Sequence, residues 1–380
     1  MKCELVSSLA DVNRNEWDSL NTSNHPFTSY DFLNSLEMSE SVTAKTGWNP
    51  QHIIIKNNTG NIIGASPNYL KMHSYGEYIF DHAWANAFEN AGGQYYPKLL
   101  SAIPFTPATG PRILIDPKNS DNNKIFQLII KMFEVIVQNN NLSSAHINFI
   151  TDNLNKKLNN EKWIKRKGLQ FHWHNKDYNS FDDFLSKLKS SKRKAIRKER
   201  RTILNNNLII QKVTGNELNN KIWDSFYNFY LNTIDKKWGG AYLTKNFFYL
   251  INKTMKNKIL LIIAKQNNKI VAGALNFIGS NTLYGRNWGS IVDIPFLHFE
   301  LCYYQAIEYA IDNNIKKVEA GAQGHHKIQR GYVAESTYSR HLIQNESFAK
   351  AVRNFVQLEA KEIDKQIQLI NEQGSPYSNI

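Results

Sequence analysis

Cysteine is scarce in this sequence of 380 residues, which has only Cys3 and Cys302. Two cysteines cannot form a disulfide framework or a four-cysteine zinc site, so we expect both to be reduced thiols. Runs of about 18 or more apolar residues are also missing, which argues against a membrane-spanning helix. The first residues, MKCELVSSLADVNRNEW, contain no apolar segment of the kind that signal peptides have. We therefore expect a cytoplasmic protein.

Several motifs with known chemistry are missing as well. No G-x-S-x-G elbow occurs and neither cysteine has a convincing Cys-His setting, so we expect no covalent enzyme intermediate. His298-Phe-Glu300 resembles the H-x-E of zinc deaminases, but no P-C-x-x-C follows it. His172 and His174 lie on one strand face with no third ligand nearby, and we interpret them as structural. The sequence thus predicts no metal site and no tightly bound cofactor.

The positive charge of the chain is concentrated in one segment. The formal net charge is +13, and residues 186–201 contain nine Lys or Arg against one acid, Glu199. In LSKLKSSKRKAIRKERRTI, an apolar stripe is predicted to face the core and the cations to face outward, with Leu185, Leu188, Ala195, Ile196 and Ile203 on the stripe. The cations Lys192, Arg193 and Arg197 can bind phosphates, and a purely solvated face is the alternative.

Apolar periodicity divides the first half of the chain into several elements. Helices are predicted at 14–20, 29–39 and 124–138. Asn-Asn-Thr-Gly between the apolar runs of QHIIIKNNTGNIIGASPNYL predicts a β-hairpin, and SAHINFI predicts a strand. The aromatic segment KMHSYGEYIFDHAWANAFENAGGQYYPKL has no clean period, which is typical of a loop that binds something.

The second half repeats this order of elements. It has a predicted helix at 181–204, the strand LIIQKV, and then helices at 221–233 and 245–256. Two or three strands follow in KILLIIAKQNNKIVAGALNFIGSNTLYGRNWG, then a helix at 297–313 and the strand KKVEAG. We interpret this as an internal repeat of architecture. Residues 347–370 are predicted to form one long charged helix without a core-sized apolar face.

This pattern predicts an α/β (α+β) protein of two tandem domains with mixed sheets flanked by helices. The predicted domains are residues 1–175 and 176–345, followed by a C-terminal helix and tail at 346–380. Two such halves, each with a hairpin that leads to a helix and a further strand, are typical of the GNAT (acyl-CoA N-acyltransferase) fold.

Several longer strings resemble a bacterial family of predicted N-acyltransferases akin to the Fem-type aminoacyltransferases of peptidoglycan synthesis. They are TGWNPQHIII, YGEYIFDHAWA, GGQYYPKL, PFTPATGPR, SSKRKAIRKERR, ALNFIG, LYGRNWG, FLHFELCYYQAIE and EAGAQGHHKIQRGY. The resemblance runs from about Trp17 to Phe355 and implies two tandem GNAT-like domains. In this family an acidic residue stands where this chain has His325, so a base at that position would have to be imidazole or another group.

The resemblance implies transfer of an acyl or aminoacyl group from an activated donor to an amine. The donor would be an acyl-CoA, such as acetyl-CoA, or an aminoacyl-tRNA, and the acceptor a small molecule or peptide with an amine, such as a cell-wall precursor. In Fem-type relatives a basic helix at the start of the second domain lies near the anionic substrate. The resemblance therefore implies a phosphate-bearing partner for the basic segment.

The stretch GAQGHHKIQRGY, at 321–332, is the first candidate site. It lacks G-x-G-x-x-G and the Gly-Lys-Ser/Thr of a P-loop. Glycines 321 and 324 would let backbone N–H groups approach a carbonyl or phosphate. Lys327 and Arg330 could hold an anionic donor or an oxyanion, His326 could take a proton from the amine, and Tyr332 closes the stretch. A turn with solvated cations is the alternative.

HSYGEYIFDHAWA, at 73–85, is the second candidate. Asp81 and His82 are predicted to act as bases because Phe80 and Trp84 would desolvate them, and Glu77 is also suitable. Four further residues at strand or loop ends are predicted to line a cleft that holds an anionic group, namely Lys98, Arg112, Arg286 and Trp288. A satisfied structural network is the alternative for each of them.

Two other classes of function stay open at this point. A non-catalytic module that binds a cell-wall precursor or peptide would have the same cleft. An RNA-associated basic protein would need only the cationic segment, although the chain has neither an RRM stacking motif nor the GXXG of a KH domain.

Overall fold

A computed structural model describes residues 1–235, 240–321 and 324–378. The strands, in chain order, are β1 (Lys2–Val6), β2 (Trp48–Pro50), β3 (His52–Lys56), β4 (Ile62–Ser66), β5 (Tyr69–Lys71), β6 (Lys98–Ser101), β7 (Leu114–Ile115), β8 (Ser144–Ile150), β9 (Trp163–His174), β10 (Ile209–Thr214), β11 (Ile259–Gln266), β12 (Lys269–Ile278), β13 (Thr282–Ser290), β14 (Lys317–Glu319) and β15 (Val333–Ile343).

The α-helices are α1 (Arg14–Leu20), α2 (Tyr30–Met38), α3 (His82–Asn90), α4 (Asn122–Asn139), α5 (Asp152–Lys157), α6 (Phe181–Ser186), α7 (Ser190–Asn205), α8 (Asn220–Asp235), α9 (Lys245–Met255), α10 (Leu297–Phe299), α11 (Gln305–Asp312) and α12 (Glu346–Glu372). A π-helical turn, Glu300–Tyr304, joins α10 to α11, and a 3-10 helix covers His325–Arg330. No helix in the described part of the chain is both long and apolar enough to cross a membrane.

The chain forms two compact units. Unit 1 consists of Met1–Gly168 and Ser336–Asp364, and unit 2 consists of Leu169–Glu335 and Lys365–Ile380. The division therefore falls within β9 and within β15. The domain boundaries after residues 175 and 345 stay a prediction.

Unit 1 has two sheets and a core of aliphatic and aromatic side chains. A four-stranded sheet has the order β1-β3-β4-β7. In the second sheet β2 pairs antiparallel with β5, β5 antiparallel with β6, β6 parallel with β8, and β8 antiparallel with β15. The apolar face of α4 packs on the hairpin of β3 and β4, where Ile125, Ile129 and Phe133 contact Ile53 and Ile55 in one cluster.

Unit 2 has one sheet in the order β10-β11-β12-β13-β14-β9. The pairs are antiparallel except β13 with β14, which is parallel. Its core packs the sheet against α6, α7, the π-helical turn and α11. From β11 onward the pairings are antiparallel, antiparallel, parallel and antiparallel, as they are from β2 onward in unit 1. The predicted repeat of architecture is thus present in the strand pairing.

Most elements predicted from periodicity are confirmed, but the aromatic segment predicted as a loop contains the helix α3. The hairpin of β3 and β4, the helices α1, α2, α4, α8 and α9, and the long C-terminal helix all occur. The predicted helix at 181–204 is instead two helices, α6 and α7. The helix is interrupted at Leu188, which forms a bridge with Tyr377. On either side of it, Lys189 N–H donates to the carbonyl of Pro376, and Ser378 N–H donates to the carbonyl of Lys187. Ala195 is exposed and does not belong to the apolar stripe of α7.

Candidate active site

The parallel pairing of β13 with β14 is short, and among the described residues no further strand pairs with this side of β13. The two strands are in register only over Thr282–Lys317, Leu283–Val318 and Tyr284–Glu319. β14 ends there, whereas β13 continues to Ser290. We call the opening beside residues 285–290 of β13 the notch. Strands that separate in this way expose backbone N–H and C=O groups that can bind an extended ligand.

A β-bulge shapes the notch. In the pairing of β13 with β12, Trp288 is opposite Ala274 and Gly285 is opposite Asn276, so Leu275 faces both Arg286 and Asn287. Bulges bend a strand and redirect side chains, and they are frequent next to active sites. Arg286 and Trp288, both predicted as binding residues, are half-buried on this stretch.

The chain after β14 forms the candidate turn predicted from GAQGHHKIQRGY. Gly321 and Gly324 have φ values of 76° and 124°, which favour glycine. Residues 322 and 323 lie outside the described part. Lys327 is 1% exposed, and its Nζ donates a hydrogen bond to the carbonyl of Gly321 at 2.9 Å. Burial lowers the pKa of Lys327 to about 8.

His326 and Tyr303 form a hydrogen-bonded pair next to this turn. The Tyr303 hydroxyl lies 2.8 Å from Nε2 of His326. Burial raises the pKa of Tyr303 far above its usual range, so the phenol keeps its proton. Burial, together with the charges of Arg330 and Lys327, lowers the pKa of His326. In this pair the phenol is therefore the hydrogen-bond donor and the neutral imidazole the acceptor.

Aromatic contacts connect the turn with the notch. The ring of His298 lies 5.0 Å from Trp288 on β13, 5.2 Å from Tyr303 and 6.0 Å from His326, measured between centroids. Tyr303 belongs to the π-helical turn, a feature that is frequent at functional sites. The notch, the π-helical turn and the 3-10 helix therefore form one site in unit 2.

Arg330 holds the main chain of the 3-10 helix in place. Its guanidinium donates to both carboxylate oxygens of Glu199, at 2.8 and 2.9 Å, to Tyr304 at 2.9 Å, and to the carbonyl of His326 at 2.7 Å. It also stacks on Phe299, 3.5 Å from the ring centroid. These contacts engage the guanidinium with protein groups, so the predicted binding of a donor anion by Arg330 stays a prediction.

Tyr332 ends the predicted stretch inside the core. It is fully buried, and its ring lies 5.6 Å from Tyr303. This position supports the π-helical turn.

Unit 1 contains a second group of predicted site residues around Lys98. Lys98 is fully buried, and its Nζ donates to Ser74 at 2.8 Å, Glu77 at 2.9 Å and Asp81 at 2.5 Å. Tyr95 donates to the same oxygen of Asp81 at 2.8 Å. The three ammonium protons thus have three acceptors, and the charged groups of Lys98, Glu77 and Asp81 are all buried.

The charges in this cluster shift each other's pKa values. Burial raises the pKa of Glu77 to about 7, although Lys98 opposes the shift. Burial alone would raise the pKa of Asp81 too, but Lys98 holds it well below its usual range. Asp81 therefore stays ionised, whereas Glu77 titrates near neutral pH. Of the two, Glu77 is better suited to take or give a proton.

His82 and Arg112 lie apart from this cluster. His82 is exposed at the start of α3, where its ring lies 5.8 Å from Tyr75. Arg112 is fully buried and donates to the carbonyls of Asn148, Ala108 and Pro111. The guanidinium of Arg112 fixes the chain that follows β6, and its predicted role in binding an anion stays a prediction.

The parallel pair of unit 1 has no comparable notch. The chain that follows β6 is mostly buried from residue 102 to 112, and Gly110 forms a parallel bridge with Ile150 at the end of β8. In unit 1 the chain itself therefore covers the region where β6 and β8 part.

The cationic segment lies on α7. Arg197 is exposed and pairs with Asp182 at 3.0 Å. Lys192 and Arg193 are half-buried, and Arg193 donates to the carbonyls of Ser186 and Leu188 at 3.3 Å. The exposed cations next to them leave α7 with a strongly positive outer face.

Sequence reasoning did not single out three residues that lie at or next to the unit 2 site: Glu199, Tyr303 and Glu319. Glu199 is the only acid among nine cations, and this contrast was a usable signal. Glu319 is an acid that directly follows a buried valine in a strand, which was a second signal. No such signal marks Tyr303, because a tyrosine on an apolar helix face is typical of a core residue. No group of three or more His, Cys, Asp or Glu among the described residues is placed to bind a metal ion.

The chain matches the model of a FemAB-like family, described as peptidoglycan biosynthesis/recognition, over residues 8–379. It belongs to this FemAB-like family. Membership supports acyl or aminoacyl transfer as the class of activity. A search of curated proteins gave no match.

Several solved structures have a similar fold. FemX is 12% identical, with 93% of this chain and 100% of FemX covered and a TM-score of 0.53. The C-terminal domain of a putative lysylphosphatidylglycerol synthetase from Agrobacterium fabrum is 9% identical, with 91% and 96% covered and a TM-score of 0.56. A conserved protein of unknown function from Bacteroides thetaiotaomicron VPI-5482 is 12% identical, with 90% and 100% covered and a TM-score of 0.52.

Identities this low indicate a shared fold alone. The predicted fold class is confirmed: two tandem GNAT-like parts with mixed sheets flanked by helices, followed by a C-terminal helix.

Proposed function

We propose that this FemAB-like protein transfers an acyl or aminoacyl group from an activated donor to an amine, and that the transfer takes place at the notch of unit 2. The observation that carries the proposal is the short β13–β14 pairing with Lys327 and the Tyr303–His326 pair beside it. The covered chain after β6 argues against a second donor site of this kind in unit 1.

The donor enters as an extended group between β13 and β14. Its backbone-like amides pair with the open edge of β13, and its reactive carbonyl lies near the turn that carries Lys327. With a pKa of about 8, Lys327 is mostly an ammonium ion at neutral pH, and it polarises the carbonyl and stabilises the oxyanion. An acyl-CoA or an aminoacyl-tRNA fits this description, and the cations of α7 would attract the phosphates of either one.

The Tyr303–His326 pair handles a proton at the reacting centre. Since no nucleophilic side chain is needed, the rate depends on the proximity of amine and carbonyl and on polarisation of the carbonyl. The Tyr303 hydroxyl, reprotonated through His326, can supply a proton to the leaving sulfur or oxygen of the donor. A cytoplasmic cell-wall precursor with a free amine is the acceptor that the family description suggests.

Calorimetric titration with acetyl-CoA tests the donor class. We expect micromolar binding to the wild type, a weaker response to CoA and none to ATP, and loss of acetyl-CoA binding in Lys327→Ala. If acetyl-CoA does not bind, the same titration with an aminoacyl-tRNA decides between transfer and recognition alone. A protein that binds a peptide precursor but neither donor would be a non-catalytic recognition module, and the proposal would be wrong.

A further inference from the structure

The pairing of β13 with β14 also determines which side chains lie on each face of the unit 2 sheet. Leu283 and Val318 are directly opposed and belong to the core that includes Tyr303 of the π-helical turn. Side chains alternate along a strand, so the next opposed pair, Tyr284 and Glu319, lies on the other face. Glu319 is thus at the notch but on the face opposite the core that packs Tyr303.

Glu319 begins a row of titratable side chains on that second face. His172 on β9 is opposite Glu319, and its Nδ1 lies 2.7 Å from Oε2 of Glu335 on β15. Nε2 of His174 bonds to the other carboxylate oxygen of Glu335. Lys317 is opposite His174, and its Nζ lies 2.5 Å from Oε1 of Glu319. Three strands therefore place two carboxylates, two imidazoles and one ammonium group side by side.

Glu319 is the unusual member of this row. Its side chain is only 5% exposed, and neither carboxylate oxygen accepts a hydrogen bond from any residue in the described part. The close contact with Lys317 is an ion pair that lacks hydrogen-bond geometry. A buried carboxylate is costly unless donors satisfy it. A carboxylate left in this state where two parallel strands separate is more typical of a functional group than of a structural one.

We propose that Glu319 binds the ammonium group of the acceptor and removes its proton. The proposal rests on the proposed function and adds the side from which the amine attacks. The donor would lie against the turn with Lys327, and the acceptor would approach from the face that carries Glu319 and His172. The acceptor is then a primary ammonium ion, and the exposed parts of His174 and Glu335 lie next to its path.

The proton balance of this step is complete. The carboxylate of Glu319 takes one proton from R–NH3⁺, and the free amine attacks the donor carbonyl to form the new C–N bond. As the C–S or C–O bond to the leaving group breaks, the second N–H proton ends on the departing sulfur or oxygen. Glu319 then releases its proton to solvent as the product leaves. No metal, oxidant or reductant takes part.

Comparison of two nucleophiles tests this role. Hydroxylamine is unprotonated at neutral pH and needs no base, whereas 1,3-diaminopropane is protonated and needs one. With acetyl-CoA as donor, we expect Glu319→Gln to lower transfer to the diamine by about 100-fold or more and to leave transfer to hydroxylamine within about twofold. Asp177→Asn removes an exposed carboxylate of unit 2 that pairs with Lys316, and it should change neither rate.

Equal losses with both nucleophiles would mean that Glu319 supports the donor site or the fold, and the proposal would be overturned. Unchanged rates with both would overturn it as well. If Glu319→Gln raised only the KM for the diamine and left kcat unchanged, Glu319 would not be acting as a base.

A binding measurement keeps the inference testable if the wild type transfers to neither nucleophile, in which case the proposed function itself fails for this donor. Titration of 1,3-diaminopropane into protein with ¹⁵N-labelled histidine should shift the signals of His172 and His174 in the wild type but not in Glu319→Gln. Absence of any shift in the wild type would refute the amine site independently of turnover.

Discussion

Arg330 and Glu199 form a two-point contact in which one guanidinium nitrogen donates to both carboxylate oxygens, at 2.8 and 2.9 Å. Their side chains are 8% and 14% exposed. The same guanidinium holds the carbonyl of His326. The single acid of the cationic helix therefore positions the main chain of the candidate turn.

Glu199→Gln should destabilise the fold because it leaves the Arg330 charge buried without a counter-ion. Loss of one partner of a buried ion pair costs about 3 kcal/mol or more, so the free energy of unfolding in a urea titration should fall by roughly that amount. Asp182→Asn breaks the exposed pair with Arg197 on the same helix and should cost at most about 1 kcal/mol. Similar effects of the two changes would contradict a positioning role for Glu199.

Lys327→Met should separate activity from stability. A buried lysine whose pKa is lowered to about 8 destabilises the folded state, so an apolar side chain of similar length should raise the melting temperature or leave it unchanged. Turnover should nevertheless fall by about 100-fold, since the carbonyl loses its cation. Thermal unfolding and initial rates measure the two effects. A lower melting temperature together with lower activity would identify Lys327 as a structural residue.

Arg286→Ala provides a companion test on the open part of β13. We expect turnover to be lost while the melting temperature falls by no more than a few degrees, because Arg286 is only half-buried. A large loss of stability would mean that Arg286 supports the bulge and does not bind substrate.

Lys98→Met should be strongly destabilising because Glu77 and Asp81 would remain buried without the ammonium group that bonds to both. We expect a loss of about 3–5 kcal/mol in the free energy of unfolding. A triple variant with Glu77→Gln and Asp81→Asn removes the charges together and should recover a large part of that loss. If the triple variant is no more stable than Lys98→Met, the charges of the cluster do not determine its stability.

Lys71 should make stability depend on pH between neutral and alkaline conditions. Burial lowers its pKa from 10.5 to about 7, partly opposed by Glu77, and its Nζ lies 3.7 Å from the Trp48 ring centroid. As the pH falls from 10.5 to 7, the unfolded chain takes up a proton that the folded chain does not, so stability decreases. Lys71→Met should flatten this part of the profile, whereas Lys2→Met, at an exposed residue, should leave it unchanged.

Local patterns in the sequence predicted the elements that depend on local forces. The helices α2 and α4 have a regular apolar stripe, and the turn Asn-Asn-Thr-Gly joins two apolar runs, so each could be found without tertiary information. The break between α6 and α7 could not, because it depends on hydrogen bonds between residues 187–189 and 376–378. The strand β15 and the first part of β9 were missed because their residues have no regular alternation, and only the end of β9, with His172 and His174, was predicted as a strand.

The candidate site divides in the same way. His326 and Lys327 were found because glycines, histidines and cations in a short stretch are a local signal. Glu319 was not found because what distinguishes it is its place at the last residue pair of β13 with β14. The ion pairs of Lys98 were not found because they join residues that are 17 and 21 positions apart. Sequence spacing alone does not specify such contacts.

The π-helical turn at Glu300–Tyr304 sets the angular phase between two helical segments. Each residue of an α-helix advances the side chains by about 100°, and a π turn inserts one extra residue. Removal of a single residue from this turn would restore an uninterrupted α-helix, but it would rotate His298 and Phe299 by that angle relative to the core face of α11. The ring of His298 would then point away from Trp288 and His326. The one extra residue in this helix therefore keeps His298 in contact with both β13 and the candidate turn.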